Sequence, residues 1–264
     1  MAALKEVGPV SQVPAIVRAS QIIDALAVSA QPMGTSELAR LLKLPKSSVY
    51  LICSTLINLG LLVRRGENRF SIGPHVLHWA ESFQAGSDLV REFQQLTSET
   101  AVLPEFALNL TVLMGQDVLY VGCRNGQQPL GVRFGVGVLL PAVFTATGKA
   151  MLSTKPFEEV IEFVGETWPK TYTRQSVRSI DQLKSELDAT RARGYSIDDG
   201  QLREGMYCLA APIFDSTSTA AIAGIAVGLL QSEATAESEA RIASELIAFA
   251  NALSQRLGGR VPAG

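Results

Sequence analysis

Seven residues in the first 70 positions have the types and spacing needed to bind nucleic acid. They form two groups, one directly after a proline and one in a short arginine-bearing segment: Lys46, Ser47, Ser48 and Tyr50, then Arg64, Arg65 and Arg69. Lysine and arginine attract phosphate, and polar side chains at the start of a helix reach base edges in the major groove. We expect Lys46 and Ser47 to bind phosphate and the arginines to meet phosphates or the minor groove.

The elements that must position these side chains are two short helices and a turn, predicted over residues 35–60. Apolar residues recur there at three- and four-residue intervals, as two packed helices require. They are Leu38, Ala39, Leu42 and Leu44, then Val49, Ile52, Leu56 and Leu59. Pro45 breaks the first helix and fits the first turn of the second. The pattern predicts a helix-turn-helix whose second helix enters the DNA major groove.

Three neighbouring segments extend this small domain. Residues 13–27 predict a helix that covers the pair, and residues 61–73 alternate apolar and polar positions around a turn at 66–68. That alternation predicts a hairpin, which would be the wing of a winged helix. Residues 74–101 read as one long helix with Gly86 as a weak point. Such a helix links domains, and its apolar stripe is available to a second subunit.

Each DNA-contact assignment has a plainer alternative. Ser48 either contacts DNA or caps its helix, because serine is a favoured cap residue. The plainer alternative for the wing arginines is solubility. The alternative for the helix pair as a whole is a protein-binding winged helix without DNA affinity. Charge favours DNA: residues 1–80 hold eight Lys or Arg against four Asp or Glu, whereas the remainder carries a net charge of −6. A basic end on an acidic body is typical of nucleic-acid contact at that end.

The second half of the chain mixes strands with helices. Residues 105–115 and 117–126 predict a hairpin, 129–145 a glycine-interrupted strand and loop, 146–154 the start of a short helix, and 179–194 a helix closing on Gly194. Three β candidates follow at 195–198, 207–215 and 220–230, before a terminal helix over 234–257. An antiparallel sheet among helices makes this an α+β domain of a ligand-sensing type.

Catalytic residues are missing from this half. The only histidines are His75 and His78, so residues 81–264 lack the groups for Ser-His-Asp or Cys-His catalysis and for histidine metal sites. The segment around Gly148 and Lys149 is not a phosphate-binding loop, because it lacks the earlier glycine and the following Ser or Thr. Asp198 and Asp199 would point to opposite faces of a strand. We therefore expect no enzyme, no metal and no cofactor.

The composition of the chain indicates where in the cell the protein is expected. Hydrophobic residues make up 47% of the 264 residues, but no run approaches about 18 uninterrupted apolar positions. The amino terminus lacks the basic head and apolar run of a secretory signal. Three scattered cysteines, Cys53, Cys123 and Cys208, do not form a disulfide framework. We expect a cytoplasmic protein with reduced thiols and no membrane partner.

Three sequence blocks carry a resemblance to a known family. They are SELARLLKLPKSSVYLICSTLINLGLLVRR with FSIGPHVL, then LPAVFTATGKAMLS, and GYSIDDGQLREGMYCLAAPIFD, the most specific of the three. Over residues 13–257 the chain resembles IclR-type bacterial transcription factors, the isocitrate lyase regulator family. The resemblance implies a winged helix-turn-helix domain at 1–73, a linker helix at 74–101 and a GAF-like effector-binding and oligomerisation domain at 102–264. It also implies dimers or dimers of dimers on a palindromic operator.

The resemblance also implies an effector site. The positions of this chain that match it are Leu140, Ala146, Thr147, Asp198, Met206 and Cys208. Leu140 and Met206 would form apolar walls, Thr147 and loop amides would donate hydrogen bonds, and Cys208 would line the cavity. The alternative for Cys208, a redox switch, needs a low thiol pKa that no nearby basic residue in the sequence provides.

Two departures from the family pattern affect these expectations. Leu51 stands where a basic residue usually follows the position of Tyr50, which removes one backbone contact. Ala226 and Gly228 stand where several members place serine hydroxyls. The second change predicts an effector larger and less polar than a two- or three-carbon oxoacid, such as an aromatic acid or a neutral amide-like derivative.

These features together predict a DNA-binding regulator, with repression as its expected action. A small molecule in the second domain would shift the paired winged helices between two states and so change operator affinity. The alternative is a small-molecule-binding protein or enzyme with a winged helix that does not bind DNA.

Overall fold

The computed structural model describes residues 13–29, 31–66, 68–127 and 135–259. The chain divides into two compact units, Met1–Gly86 and Ser87–Gly264, which we take one at a time. In the described part of the chain, no helix has the length and apolar character needed to cross a membrane.

The first unit is a winged helix-turn-helix. Its elements are α1 (Pro14–Val28), β1 (Met33–Gly34), α2 (Thr35–Leu42), α3 (Lys46–Asn58), β2 (Leu62–Arg65), β3 (Arg69–Ile72) and α4 (His75–Gly86). The strands form an antiparallel sheet in the order β1-β3-β2. Its core contains the apolar positions predicted from helical spacing, among them Ile22, Leu38, Val49 and Leu56, together with Phe70 of the wing.

The turn between α2 and α3 has the predicted cause. Lys43 has a left-handed backbone with a φ of 53°, which ends α2. Pro45 is then the residue directly before α3, with a φ of −59° that suits a helix start. Both helices therefore present their apolar faces to one core, and the winged helix-turn-helix fold is confirmed.

The single helix predicted over residues 74–101 is wrong. The segment contains α4, which ends at Gly86, and α5 (Asp88–Glu99), and these helices fall in different compact units. Ser87 between them has an extended backbone, and its side chain accepts a hydrogen bond from the Val90 backbone N–H over 3.3 Å. Gly86 has poor helix propensity, and the Ser87 cap starts a new helix directly after it. These two local effects break the helix although the apolar spacing continues across them. The unit boundary lies inside the predicted linker.

The second unit is an α+β domain around one antiparallel sheet. Its strands are β4 (Ala107–Met114), β5 (Asp117–Arg124), β6 (Leu139–Pro141), β7 (Ser196–Asp199), β8 (Met206–Ile213) and β9 (Ala223–Leu230). They lie in the order β6-β5-β4-β9-β8-β7. Its further helices are α6 (Ala146–Leu152), α7 (Phe157–Val164), α8 (Ile180–Arg193) and α9 (Ala236–Arg256). The α+β class is confirmed.

Helices cover both faces of this sheet. Leu209 and Ile213 of β8 pack with Leu246 and Phe249 of α9 in the larger core, to which α5 also contributes. The alternate residue Ala210 packs on the other face against α6. Gly224 of β9 permits that close approach, because an added Cβ would lie 2.9 Å from the Thr147 Cβ. Small residues therefore set how near α6 lies to the sheet.

Two parts of the second unit differ from the sequence-based expectation. Helix α7 was not predicted, although Val160 and Val164 have the spacing of a buried helical face. Of the strand and loop expected over 129–145, the described residues contain the strand β6, and residues 128–134 lie outside the described part of the chain. In the first unit, Glu67 at the tip of the expected hairpin likewise lies outside the described part of the chain.

Candidate DNA-binding surface and ligand cavity

The residues predicted to contact DNA lie at the start of α3 and on the wing. Lys46, Ser47 and Tyr50 are exposed on the first turns of α3, whereas Ser48 is half-buried. No side chain caps the amino terminus of α3, so Ser48 is not the cap residue. Exposed Leu51 occupies the next position after Tyr50. The start of α3 thus presents one ammonium group and short polar side chains to solvent.

The three predicted arginines of the wing differ in their surroundings. Arg64 and Arg65 are exposed at the end of β2, and the Arg65 Nε donates to the Ser71 hydroxyl over 3.4 Å. Arg69 is held within its own unit: its Nε donates to the Pro32 carbonyl over 2.9 Å, and its guanidinium lies 3.2 Å from the Glu37 carboxylate. DNA contact by Arg69 stays a prediction, and Glu37 is its partner in the free protein.

A wide groove joins α3 to the start of α2. It has a volume of about 600 Å³. Its lining comes from α2, α3 and the wing: Gly34, Thr35, Ser36, Glu37, Lys46, Ser47, Tyr50, Asn68 and Arg69. Four of the predicted DNA contacts, Lys46, Ser47, Tyr50 and Arg69, therefore share one concave surface with the first turn of α2.

The six predicted effector residues converge on one cavity of the second unit. It has a volume of about 290 Å³ and lies between the sheet and α6. Leu140 comes from β6, Ala146 and Thr147 from α6, Asp198 from β7, and Met206 and Cys208 from β8. Ala226 of β9 also lines it. The six predicted residues, which lie up to 68 positions apart in the sequence, are thus brought together, although their role as effector contacts stays a prediction.

Sequence reasoning missed several lining residues. They are Asn109, Tyr120, Thr145, Tyr172, Leu202, Arg203 and Val227. Asn109 carried a usable signal, because it is a single amide within an apolar strand run and is 2% exposed. A buried polar side chain in such a run indicates either a hydrogen-bond network or a ligand. Tyr172 and Arg203 lie on connections between elements, where strand and helix periodicity carries no information.

Two buried polar groups of the cavity have unmet hydrogen-bonding capacity. Asn109 Oδ1 and Thr147 Oγ1 are inaccessible to solvent and have no hydrogen-bond partner. Both residues are 2% exposed. At the start of α6, Thr145 Oγ1 accepts from the Gly148 N–H over 2.9 Å and caps the helix. A ligand with a complementary polar group would supply what these side chains lack.

Asp198 brings a titratable carboxyl group to the cavity wall. Burial raises its pKa to about 6, partly offset by the charge of Lys149 and by the Gln201 N–H, which donates to Asp198 Oδ1 over 2.7 Å. Neighbouring Asp199 is exposed and accepts from Gln231 Nε2. The two carboxylates therefore lie apart, as the alternation of a strand requires.

Cys208 is a poor nucleophile in this setting. Burial, with Asp198 as a second cause, raises the pKa of its thiol far above the ordinary value. The thiolate is the reactive form, so this environment opposes the redox-switch alternative. Among the described residues, no group of three or more His, Cys, Asp or Glu side chains could hold a metal ion.

A winged helix-turn-helix with a basic first turn, together with an α+β domain that encloses a ligand-sized cavity, defines a ligand-responsive DNA-binding regulator. The comparisons agree with this class. Residues 15–66 match the IclR helix-turn-helix domain, and residues 84–255 match the bacterial transcriptional regulator IclR C-terminal domain. The chain belongs to the IclR family of bacterial transcriptional regulators. Family membership also confirms the prediction of a regulator rather than an enzyme.

Individual relatives support the assignment over most of the chain. HTH-type transcriptional regulator KdgR of Dickeya chrysanthemi is 28% identical over 203 residues, which cover 74% of this chain. The match spans 64% of that relative's length. The crystal structure of the Agobacterium tumefaciens repressor BlcR is 44% identical, with a TM-score of 0.61, and the match covers 96% of this chain and 100% of that one.

A more distant structure shows the fold alone. The IclR transcriptional regulator from Alicyclobacillus acidocaldarius has a TM-score of 0.81 at 20% identity, and the match covers 94% of this chain and 100% of that chain. The arrangement of elements is therefore retained where few side chains are shared.

Proposed function

We propose that this protein is a repressor that binds operator DNA through its winged helix and changes its DNA affinity when a small molecule occupies the cavity of its second unit. The cavity is the observation that carries the proposal. It is lined by residues of seven elements, and Asn109 and Thr147 there hold buried polar atoms without partners. A buried polar group without a hydrogen-bond partner lowers the stability of the fold, and a bound molecule that supplies the partner removes that cost.

DNA contact is assigned to the start of α3 and to the wing. Lys46, Ser47, Ser48 and Tyr50 would face the major groove and its phosphates, and Arg64 and Arg65 would reach the adjacent backbone or minor groove. This assignment rests on exposure and charge, because these side chains other than Ser48 are exposed at the basic end of the chain.

The cavity favours a small effector with an apolar body. The apolar part of the wall comes from Leu140, Met206 and Ala226. A serine in place of Ala226 would add a hydroxyl, which would make the wall more polar and the cavity smaller. About 290 Å³ accommodates a single ring with one substituent. The exposed Arg203 at the lining would pair with a carboxylate. An aromatic acid or a neutral amide derivative meets these conditions.

A second copy of the chain completes the proposal. Helix α4 buries none of its residues within its own unit, and it exposes Leu77, Trp79 and Phe83. Exposed apolar side chains of this size mark contact surfaces. We assign them to a homodimer, or a dimer of dimers, that places two winged helices on a palindromic operator in the cytoplasm.

Fluorescence anisotropy of the full chain with duplex DNA from upstream of its own gene tests this function. Titrations are run alone and with benzoate, benzamide, glyoxylate or pyruvate. Specific binding that benzoate or benzamide alters, while glyoxylate and pyruvate do not, is the expected result. Thermal stabilisation by a ligand without any specific DNA binding would overturn the proposal and favour a small-molecule-binding protein.

A further inference from the structure

A groove at the start of α8 concentrates positive charge on a part of the chain that is otherwise acidic. We call it the α8 groove. It has a volume of about 370 Å³, and it is lined by eight residues: Arg174, Gln175, Ser176, Val177, Arg178, Gln182, Ser185 and Glu186. Residues 81–264 hold 15 Lys or Arg against 21 Asp or Glu, whereas residues 167–180 contain three basic residues and no acidic one. The groove thus differs in charge from its surroundings.

Two arginines of the groove have no partner within the described part of the chain. Arg174 and Arg178 are exposed, and neither guanidinium takes part there in a hydrogen bond or an ion pair. In α8, by contrast, Lys184 and Arg191 both pair with Asp188. The charges of Arg174 and Arg178 are therefore available to a ligand.

The carboxylate among the eight lining residues does not cancel these charges. Glu186 Oε2 lies 2.7 Å from the Nζ of the buried Lys149, which balances its charge. Two positive charges therefore remain uncompensated in the groove. Guanidinium groups that share a groove repel each other until an anion lies between them. A doubly charged oxyanion matches this arrangement.

Arginine side chains favour a particular kind of anion. The planar guanidinium donates two parallel hydrogen bonds to two oxygens of one phosphate or carboxylate group. The exposed side chains of Gln182 and Ser185 add neutral polar groups to the groove. Ser179 already caps the start of α8, because its side chain accepts from the Gln182 N–H over 3.3 Å. The side chains, rather than the helix end, define the site.

One segment contributes to both the α8 groove and the effector cavity, the cavity that Asp198 lines. Tyr172 lines the cavity, and residues 174–178, which follow it closely in the chain, line the groove. The buried Gln201 joins the two sites. Its carbonyl accepts from Ser176 Oγ over 2.6 Å, and its N–H donates to Asp198 Oδ1 over 2.7 Å. A ligand that orders the groove segment therefore also acts on the cavity wall.

We propose that the α8 groove is a second ligand site, which binds a small dianionic metabolite, phosphate-bearing or dicarboxylate, between Arg174 and Arg178. Through Ser176 and Gln201, the bound anion stabilises the end of β7 and the connection that follows it. Binding in the groove and binding in the effector cavity are then coupled, equally in both directions. The anion site is independent of DNA binding, and only its effect on the effector rests on the proposed function.

Calorimetric titration of the full chain with inorganic phosphate and with succinate tests the site and distinguishes the two kinds of dianion. Ionic strength is held constant, so that general screening does not contribute. We expect phosphate or succinate to bind the wild type, with an affinity about tenfold lower in Arg174→Ala and in Arg178→Ala. Arg178→Lys keeps the charge without the two-pronged geometry, so it should bind with intermediate affinity.

Lys170→Ala is the matched control, because Lys170 is exposed in the same basic segment and does not line the groove. It should bind the anion as the wild type does. Both arginine side chains are exposed, so their variants should keep the Tm of the wild type without anion. The inference is overturned if the wild type binds neither anion, if loss of both arginines leaves binding unchanged, or if Lys170→Ala loses as much affinity.

Hydrogen exchange measures whether the bound anion affects the cavity wall. Exchange at the Gln201 N–H, which is bonded to Asp198, should slow in the wild type when the anion is added and stay unchanged in the double arginine variant. Slower exchange confined to residues 172–186 would overturn the coupling between the two sites.

The effector experiment is kept separate from the anion titrations. Benzoate and benzamide are titrated with and without the anion, and their affinity should change in the wild type but not in the double arginine variant. Failure of the wild type to bind operator DNA or any effector would overturn the proposed function. The titrations with phosphate and succinate would still decide the anion site.

Discussion

Lys149 Nζ lies 2.7 Å from Glu186 Oε2, and the lysine side chain is 1% exposed. The other oxygen of Glu186 accepts from Gln201 Nε2 over 2.8 Å, and the Gln201 N–H donates to Asp198 Oδ1 over 2.7 Å. The ion pair thus continues as a hydrogen-bonded chain from α8 through Gln201 to the cavity wall. It fixes the connection between β7 and β8 that contributes Leu202 and Arg203 to the cavity.

Glu186→Gln should destabilise the protein more than Lys149→Met. The first change leaves a buried ammonium without its charged partner, which costs about 3 kcal/mol. The second removes that charge and keeps an apolar side chain of similar length, so we expect a loss of about 1 kcal/mol. Urea unfolding of both variants measures the difference. A larger loss in Lys149→Met would contradict the view that the unpaired charge dominates.

Asp198→Asn should stabilise the protein at high pH only. The carboxyl has a pKa of about 6 in the folded chain against an ordinary value of 3.8, so its ionised form opposes folding. That cost is fully present above pH 6, decreases as the pH falls from 6 towards 4, and is absent below it. Two pKa units correspond to about 3 kcal/mol. We expect the free energy of unfolding of the variant to exceed that of the wild type by up to that amount at about pH 8.

Urea unfolding between pH 4 and pH 8 checks the effect of Asp198. Asp199→Asn, at the exposed neighbouring position, is the matched control for the loss of a carboxylate from the same strand. A stabilisation by Asp198→Asn that is equal at all pH values would exclude titration of this carboxyl as its cause.

Lys46→Ala combined with Arg65→Ala should weaken operator binding and flatten its dependence on salt. Each lost phosphate contact lowers the slope of log K against log salt by about 0.9, so the pair should lower it by about 2. The slope is measured by anisotropy titrations between about 50 and about 200 mM salt, a range over which affinity changes strongly. Lys184→Ala, on α8, is the control. An unchanged slope in the double variant would remove both residues from the DNA contact.

Ala226→Val should block the effector without preventing DNA binding. The added methyl groups enter the cavity, and a β-branched residue suits strand β9. Thermal shifts produced by benzoate or benzamide in the wild type should vanish, while operator affinity without ligand stays within about twofold of the wild type. Leu230→Val, at the exposed end of the same strand, should leave those shifts intact. Full ligand response in Ala226→Val would place the effector elsewhere.

The three thiols should react slowly in the native protein. Burial raises the pKa of Cys53 to about 11 and raises those of Cys123 and Cys208, so little thiolate is present at neutral pH. Titration with a disulfide reagent at pH 7.5, about one unit below the pKa of a free thiol, should detect three groups quickly only after unfolding. Fast native reaction of Cys208 would support the redox-switch alternative.

The elements of the winged helix follow from local chemistry. Pro45 starts α3, Gly34 precedes α2, and the apolar spacing of Leu38 and Val49 sets which faces are buried. These signals act within a few residues, so they can be read without knowing the fold. The same reasoning failed at Ser87, where a capping side chain ends the continuity that apolar spacing had predicted.

Cavity residues were predicted only in part. Leu140, Thr147 and Met206 lie in blocks that resemble a family, whereas Asn109 and Tyr120 lie in a hairpin with no such signal. The hairpin reaches the cavity because β4 pairs with β9, more than a hundred positions later in the chain. Strand order cannot be derived from the periodicity of each strand.

By itself, the sequence determined the winged helix-turn-helix, the α+β class, the absence of catalytic histidines from the second half, and the family. Tertiary structure decided which side chains come together. Lys149 pairs with Glu186, Arg69 pairs with Glu37, and Thr35 lines the same groove as Lys46. The physical reason is the distance along the chain over which each effect acts. Propensity, capping and apolar spacing act between near neighbours, whereas these pairings depend on sheet order, on register and on how closely small residues let a helix approach.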